Sequence, residues 1–99
     1  MQKRVFLSAV ALAAASLATS VQAQDTFKIG LILPMTGPFA STGKQIEAAA
    51  RLYMAQNGTT VAGKKVELIL KDDTAAPDVT KRLAQELVVN EKVNVLAGF

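Results

Sequence analysis

Three short apolar runs, spaced by two segments of helical length, restrict the fold of this chain more than any other feature. The runs are FKIGLIL at 27–33, VELIL at 66–70 and VNVLA at 93–97. Strands that alternate with helices of about 10–15 residues predict a parallel sheet, and nearly continuous apolar strands predict a sheet covered on both faces. We therefore expect an α/β fold of order β-α-β-α-β. Right-handed crossovers place helices on both faces of the sheet if the direction of winding reverses, and the expected spatial strand order 2-1-3 has such a reversal between the first and third strands.

The first predicted helix spans 44–57 and ends at an Asn57-Gly58 cap signal. Glu47 and Arg51 are spaced as an i, i+4 ion pair. Its apolar stripe, at i, i+3, i+4 and i+7, consists of Ile46, Ala49, Ala50 and Tyr53. Tyr53 and Met54 are interpreted as packing residues.

The second predicted helix begins near Pro77, because proline suits the first helical position and Asp78 suits the positive end of the helix dipole. Its predicted buried stripe consists of Val79, Leu83 and Leu87, flanked by Ala84 and Val88. Residues 59–64 are expected to form a connector with a tight turn into the second strand.

Residues 1–23 have the pattern of a secretory signal peptide. Lys3 and Arg4 are followed by an apolar stretch at 5–18 and by the small-residue site Val21-Gln22-Ala23. A membrane helix is the alternative, but a bilayer core needs about 20 apolar residues. We expect cleavage before Gln24, with a cut after Ala18 as the weaker alternative, and location in the periplasm without a membrane anchor.

The remaining residues 24–99 exclude several classes of function. They carry nine Lys and Arg against eight Asp and Glu, a net charge of +1, which gives no electrostatic case for nucleic acid. The chain has no Cys and no His, so it offers no thiolate metal site, no Cys nucleophile and no imidazole base. We expect no catalytic residues, no metal and no cofactor.

Ligands of open parallel sheets bind at the carboxyl ends of the strands, here at the predicted loops 34–43 and 72–77. In the first loop, Ser41 and Thr42 could turn their hydroxyls toward a ligand carboxylate or cap the helix. Phe39 could cover a ligand or plug the core of its own loop, and the plug is favoured. GPFASTGK departs from the phosphate-loop pattern, because five residues rather than four separate its glycines and Gln45 rather than Ser or Thr follows Lys44.

Asp72 and Asp73 follow the second strand. Adjacent strand residues point to opposite faces, so the two carboxylates are not expected to share one proton or one metal ion. Capping and loop hydrogen bonds are the favoured interpretation.

Taken together, IGLILPMTGPFASTGK, VELILKDDTAAP and VNVLAGF resemble the type I periplasmic binding proteins, within them the leucine/isoleucine/valine-binding group. The resemblance implies two α/β lobes that close over a small ligand, no catalysis, and a membrane permease as partner. Residues 24–99 would be the incomplete first part of the N-terminal lobe. The family often places a bulky aromatic one residue before the glycine of the first loop, where this chain has Thr42, and Phe39 could substitute for it.

The resemblance leads us to expect the substrate-binding subunit of an ABC importer for branched-chain amino acids or related small organic acids. The expected ligand-binding residues are Phe39, Ser41 and Thr42. A ligand-sensing receptor domain on the same fold is the first alternative. An enzyme whose catalytic residues lie beyond Phe99 is the second.

Overall fold

The computed structural model describes residues 25–99, so the predicted signal peptide at 1–23 lies outside the described part of the chain. The elements follow in the order β1 (Thr26–Leu33), α1 (Ala40–Asn57), β2 (Thr60–Val61), β3 (Lys64–Asp72), α2 (Pro77–Val89) and β4 (Val95–Gly98).

Strand β1 is the centre of the sheet. It pairs in parallel with β3 on one side and with β4 on the other, and the strand order is β2-β3-β1-β4. The predicted order 2-1-3 is thereby confirmed, since β3 and β4 are the second and third predicted strands. The register sets Leu33 opposite Asp72 and Ile32 opposite Gly98, so the carboxyl ends of the three strands meet at one edge.

The short strand β2 was not predicted. Thr60 and Val61 pair antiparallel with Lys65 and Lys64, and form a hairpin with the start of β3. The predicted tight turn lies between them, where Ala62 and the following glycine have φ of 52° and 78°, as a type I′ hairpin turn requires. A two-residue strand gives no apolar alternation, so the sequence carries no signal for it beyond the turn.

Helix α2 covers one face of the sheet. Ile32 of β1 packs with Leu83 and Leu87, and Leu87 is fully buried. Val79 and Ala84 pack at the rim, as predicted. The prediction for Val88 is wrong, because it is 52% exposed; one residue after Leu87 the helix has turned about 100° away from the sheet.

Helix α1 lies over the other face of the sheet. An apolar cavity of about 320 Å³ separates them, lined from the sheet by Ile29, Val66 and Leu68 and from the helix by Ala50, Tyr53 and Met54. The predicted stripe is partly wrong: Ile46, Ala50 and Met54 are half-buried, whereas Ala49 and Tyr53 are exposed. The predicted Glu47–Arg51 ion pair forms, with Nε and Oε1 3.4 Å apart.

Several element boundaries differ from the sequence-based expectation. Strand β1 begins one residue earlier than predicted, and β3 extends over Lys64–Asp72 rather than over 66–70. Helix α1 begins at Ala40 rather than at Lys44, and its first turn includes Gly43, the buried residue of the helix. Strand β4 begins at Val95 rather than at Val93, and the preceding Asn94 bonds to Lys28 of β1 through both its backbone and its side chain. Its N–H donates to the carbonyl of Lys28, and its Oδ1 accepts from the Lys28 N–H, both over 2.8 Å.

Candidate ligand-binding site

A cavity of about 630 Å³ lies where β1 and β3 end and α2 begins. Loop 34–39 follows β1, and loop 73–76 follows β3. The apolar part of the lining consists of Pro34, Phe39, Ala75, Pro77 and Phe99. Its polar part consists of Asp73, Thr80 and Lys81. The cavity is thus an apolar space with its polar groups on the β3–α2 side.

Phe39 lines this cavity and is 55% exposed. An aromatic ring that plugs the core of its own loop would be buried, so the favoured interpretation as a plug is wrong. The ring instead lies at the solvent-exposed surface of the cavity.

Ser41 and Thr42 lie in the first turn of α1, both exposed, and are not among the residues that line the cavity. The N-cap position of the helix is Phe39, and no side chain caps it. Within residues 25–99, the N–H groups of Ser41 and Thr42 donate to no acceptor in hydrogen-bond geometry, whereas those of Ala40 and Gly43 bond to loop carbonyls. The start of α1 therefore keeps free donors beside the cavity.

The two helix starts differ in charge. The first turn of α1 contains no acidic residue, while that of α2 contains Asp78 and follows Asp73. Because a helix N-terminus carries a partial positive charge, only the start of α1 remains electrostatically open to an anion.

Asp72 joins the two loops. Its Oδ1 accepts from the N–H of Met35 and from the N–H of Thr74, each over 2.9 Å, and its Oδ2 accepts from Thr36 Oγ1 over 2.7 Å. These donors, the Met35 N–H foremost, lower the pKa of the Asp72 carboxyl below its ordinary value. The predicted loop-bonding role of Asp72 is confirmed.

Asp73 has a separate set of partners. Its side chain is buried, and it accepts from the N–H of Ala75 over 2.9 Å and from Thr80 Oγ1 over 2.6 Å. The two adjacent carboxylates therefore have no hydrogen-bond partner in common, which agrees with the expectation that they do not share one proton or one ion. No group of three metal-ligating carboxylates is present within the described residues.

The loop between β3 and α2 has an unusual backbone. Thr74 and Ala75 both have left-handed φ, 54° and 62°. This conformation costs an L-residue roughly 1–2 kcal/mol. Each N–H in the strained pair is bound by one of the two preceding aspartates. The paired aspartates thus stabilise both left-handed residues of this turn by hydrogen bonds.

Sequence reasoning missed the contribution of α2 to the cavity. Thr80 and Lys81 line it together with Pro77. Their spacing of i, i+3 and i+4 defines one face of a helix that starts at the carboxyl edge of the sheet. That spacing is visible in the sequence once Pro77 is taken as the first helical residue.

Comparison with known proteins agrees with this geometry. The sequence profile described as "Periplasmic binding protein" matches residues 26–99. The chain is 46% identical over 94 residues to "Leu/Ile/Val-binding protein homolog 6" of Brucella abortus (strain 2308), which covers 94% of this chain and 24% of that protein. The chain therefore belongs to the periplasmic binding protein family.

Solved structures give the same result. A solute-binding protein of an ABC transporter from Rhodopseudomonas palustris BisB5, in complex with 3,4-dihydroxybenzoic acid, superposes with a TM-score of 0.75 at 71% identity, over 77% of this chain and 21% of that one. A second, from R. palustris HaA2 in complex with p-hydroxybenzoic acid, gives 0.72 at 43% identity, over 76% and 21%.

The chain thus spans less than a quarter of each of these two solved structures. Across residues 25–99, neither helix combines the length and the hydropathy that crossing a membrane requires.

Proposed function

We propose that this chain forms part of an extracytoplasmic solute-binding subunit of an ABC importer, and that its solute is a small aromatic carboxylate of the hydroxybenzoate class. The observation that carries the proposal is that an aromatic, apolar cavity lies beside the N-terminus of α1, whose first turn contains no acidic residue to offset the partial positive charge of the helix. The subunit would bind the solute between two lobes and deliver it to a membrane permease.

The charge of the site favours an anion. Lys81 is the cation among the described residues that line the cavity. The first turn of α1, which contains Ser41 and Thr42, adds free N–H donors and no acidic residue. A carboxylate at this position would gain from both groups.

The shape of the site favours a ring. Phe39 and Phe99 line the cavity together with Pro34 and Pro77, so its walls are flat and apolar. Aromatic pairs add about 0.5–1.5 kcal/mol beyond the burial of their area. The two similar solved structures were obtained with hydroxybenzoic acids, which combine one ring with one carboxylate.

A branched-chain amino acid is the second candidate, supported by the name of the Brucella relative. Such a solute brings an ammonium group that needs an acceptor. Asp73 is the carboxylate in the described lining, and its oxygens already bind Ala75 and Thr80. Thr42 also stands where the wider family often has a bulky aromatic residue, which leaves room for a ring.

The test is calorimetric titration of the full-length gene product, freed of co-purified solute by unfolding and refolding. The probes are 3,4-dihydroxybenzoate, 4-hydroxybenzoate, benzoate and leucine. We expect micromolar or tighter binding of the hydroxybenzoates and none of leucine. Preferential binding of leucine would replace the aromatic proposal with the amino-acid one.

A matched pair of variants tests the position of the site. Phe39→Ala should weaken hydroxybenzoate binding by about tenfold, because one aromatic contact is lost. Tyr53→Ala removes a comparably exposed aromatic from α1, on the other cavity, and should leave affinity unchanged. Equal effects of the two changes would move the solute away from Phe39.

We further propose that residues 1–23 are removed on export and that the mature protein begins at Gln24. The support is the sequence pattern of the segment together with membership of a periplasmic family. N-terminal sequencing of the protein from a periplasmic extract tests this. A first residue at Met1 or at Thr19 would contradict it.

An uptake experiment distinguishes delivery of the solute to a permease from binding to a signalling partner. Deletion of the gene should abolish accumulation of labelled hydroxybenzoate from dilute medium. Normal uptake in the deletion strain would favour the receptor-domain alternative.

A further inference from the structure

We propose that Asp72 is a positioning residue for solute binding, whose carboxylate fixes loop 34–39 against loop 73–76 and thereby sets Phe39 in place in the cavity. The inference rests on the proposed function, since it assigns a role in solute affinity to a residue that does not line the cavity.

The carboxylate acts where the backbone ladder ends. Strands β1 and β3 pair up to Leu33 and Asp72, and one further backbone bond joins Asp73 N–H to the Leu33 carbonyl over 3.2 Å. Beyond that point no backbone–backbone hydrogen bond joins loop 34–39 to loop 73–76 within residues 25–99. The Asp72 side chain continues the connection between the two chain segments, because it accepts the N–H of Met35, two residues after the end of β1.

The same carboxylate serves the second loop. Its Oδ1 accepts from both Met35 and Thr74, so one oxygen atom joins the two loops. Thr74 is held in a left-handed conformation there. Loss of this acceptor would release a strained residue and free the start of loop 34–39 in one step.

We call the three hydrogen bonds of Asp72 to the two loops the clamp, and the backbone of loop 34–39 links this clamp to Phe39. Thr36 Oγ1 bonds Asp72 Oδ2, and the next residue, Gly37, accepts the N–H of Ala40 at the start of α1. A β-carbon on Gly37 would lie 3.9 Å from the Thr74 carbonyl oxygen, so the loops approach each other closely. Phe39 lies between these two fixed points.

A direct effect of the Asp72 charge on the solute would change the affinity in the opposite direction. Both oxygens of Asp72 are engaged by groups of the loops, and the residue is absent from the cavity lining. If Asp72 acted by charge, it would repel the anionic solute proposed above, and its removal would tighten binding.

The neighbouring Asp73 does not connect the two loops through its side chain. The partners of Asp73 lie at Ala75 and Thr80, within the β3–α2 connection and the first turns of α2. It therefore orders the start of one helix and joins no second loop by its side chain.

The experiment compares three variants of the full-length protein, with 3,4-dihydroxybenzoate as probe. Asp72→Ala removes all three bonds. Asp72→Asn keeps the Oδ1 acceptor for Met35 and Thr74, and its amide can donate to Thr36 Oγ1. Asn94→Ala removes one side-chain bond between strands at the opposite end of the sheet and is the control for a general loss of stability.

We expect Asp72→Ala to weaken probe binding by about tenfold, roughly the effect of one to two lost hydrogen bonds. Asp72→Asn should stay within about twofold of the wild type, and Asn94→Ala should not change affinity. Tighter binding by both Asp72 variants would show a charge effect and overturn the proposal. Equal weakening by Asp72→Ala and Asn94→Ala would show a merely structural role and overturn it as well.

Hydrogen exchange without ligand separates this proposal from the proposed function. In Asp72→Ala the amides of Met35 and Thr74 should exchange at least about tenfold faster, while Asn94→Ala accelerates Lys28 instead. Unchanged exchange at both amides would refute the clamp even if the probe binds. A wild-type protein that binds no probe would refute the proposed function, and exchange alone would then decide whether the clamp exists.

Discussion

Gly43 of α1 lies directly against the carbonyl group of Pro34. A β-carbon at Gly43 would overlap the Pro34 oxygen and come within 2.8 Å of its carbonyl carbon and 3.1 Å of Met35 Sδ. The obstacle is backbone at the end of the central strand, which has little freedom to withdraw. Glycine is therefore required here for close approach, although its φ is ordinary for a helix.

Gly43→Ala should destabilise the protein by about 1–3 kcal/mol, because overpacking outweighs the roughly 1 kcal/mol gain in helix propensity. Gly30→Ala is the matched comparison. Its β-carbon would meet only side-chain ends, Leu87 Cδ1 at 3.0 Å and Leu96 Cδ2 at 3.1 Å. Denaturant unfolding should give the larger loss for Gly43→Ala, and the reverse order would contradict this account of the contact.

Leu87→Ala should cost about 2–5 kcal/mol of unfolding free energy, because the side chain is fully buried against β1. Val88→Ala, one residue on, should stay within about 0.5 kcal/mol, since Val88 is half exposed. Denaturation midpoints of the two variants check this. Similar losses for both would mean that α2 is rotated relative to the packing described above.

Ala62→Asn should stabilise the protein by about 0.5–1 kcal/mol. Ala62 has a left-handed φ in a type I′ turn, where asparagine before glycine is the preferred pair. Val61→Asn, one residue earlier in β2, serves as control and should not stabilise. Thermal unfolding measures both, and a neutral or harmful Ala62→Asn would argue against this turn.

The lowered pKa of Asp72 predicts a specific loss of stability in acid. Its folded pKa lies below the ordinary 3.8, so its contribution is complete above that value and disappears as the pH falls through the folded pKa. The stability advantage of wild type over Asp72→Asn should therefore shrink as the pH falls below the ordinary value of 3.8 and through the lowered pKa of the folded state. A pH-independent difference would show that ionisation of Asp72 is not linked to folding.

Thr42→Trp should change the size preference of the site, on the proposal that the first turn of α1 faces the solute. Benzoate should be favoured over 3,4-dihydroxybenzoate in the variant, because the indole occupies space that ring substituents need. Titration with both probes measures the ratio. An unchanged ratio would remove Thr42 from the site.

Much of the fold could be read from the sequence because its determinants are local. Pro77 and Asp78 mark the start of α2, and the apolar runs mark β1 and β3, so the alternation of strands and helices could be predicted. Right-handed crossovers allow the observed strand order but do not require it, because they also allow a sheet wound in one direction. The start of α1 could not be read in this way. Ser41, Thr42 and Gly43 have loop composition, and only the contact with Pro34 explains why a glycine belongs inside the helix.

The position of the cavity could be predicted from the sequence, but most of the residues that line it could not. Its edge of the sheet followed from topology, and Phe39 from its loop. Lys81 and Thr80 enter the lining through the rotation of α2, which depends on how Leu83 and Leu87 pack. The exposure of Tyr53 likewise depends on the tilt of α1 over the sheet. Periodicity alone does not determine these packing angles.

The central position of β1 has a thermodynamic consequence for solute capture. This strand is paired on both sides, and it is buried from Gly30 through Leu33. A loop of six residues connects it to α1. The conformational entropy of this wall is therefore lost when the chain folds, and little of it remains to be lost when a solute arrives. On the proposed function, loop 34–39 and the end of β1 are therefore preorganised for the solute before it binds.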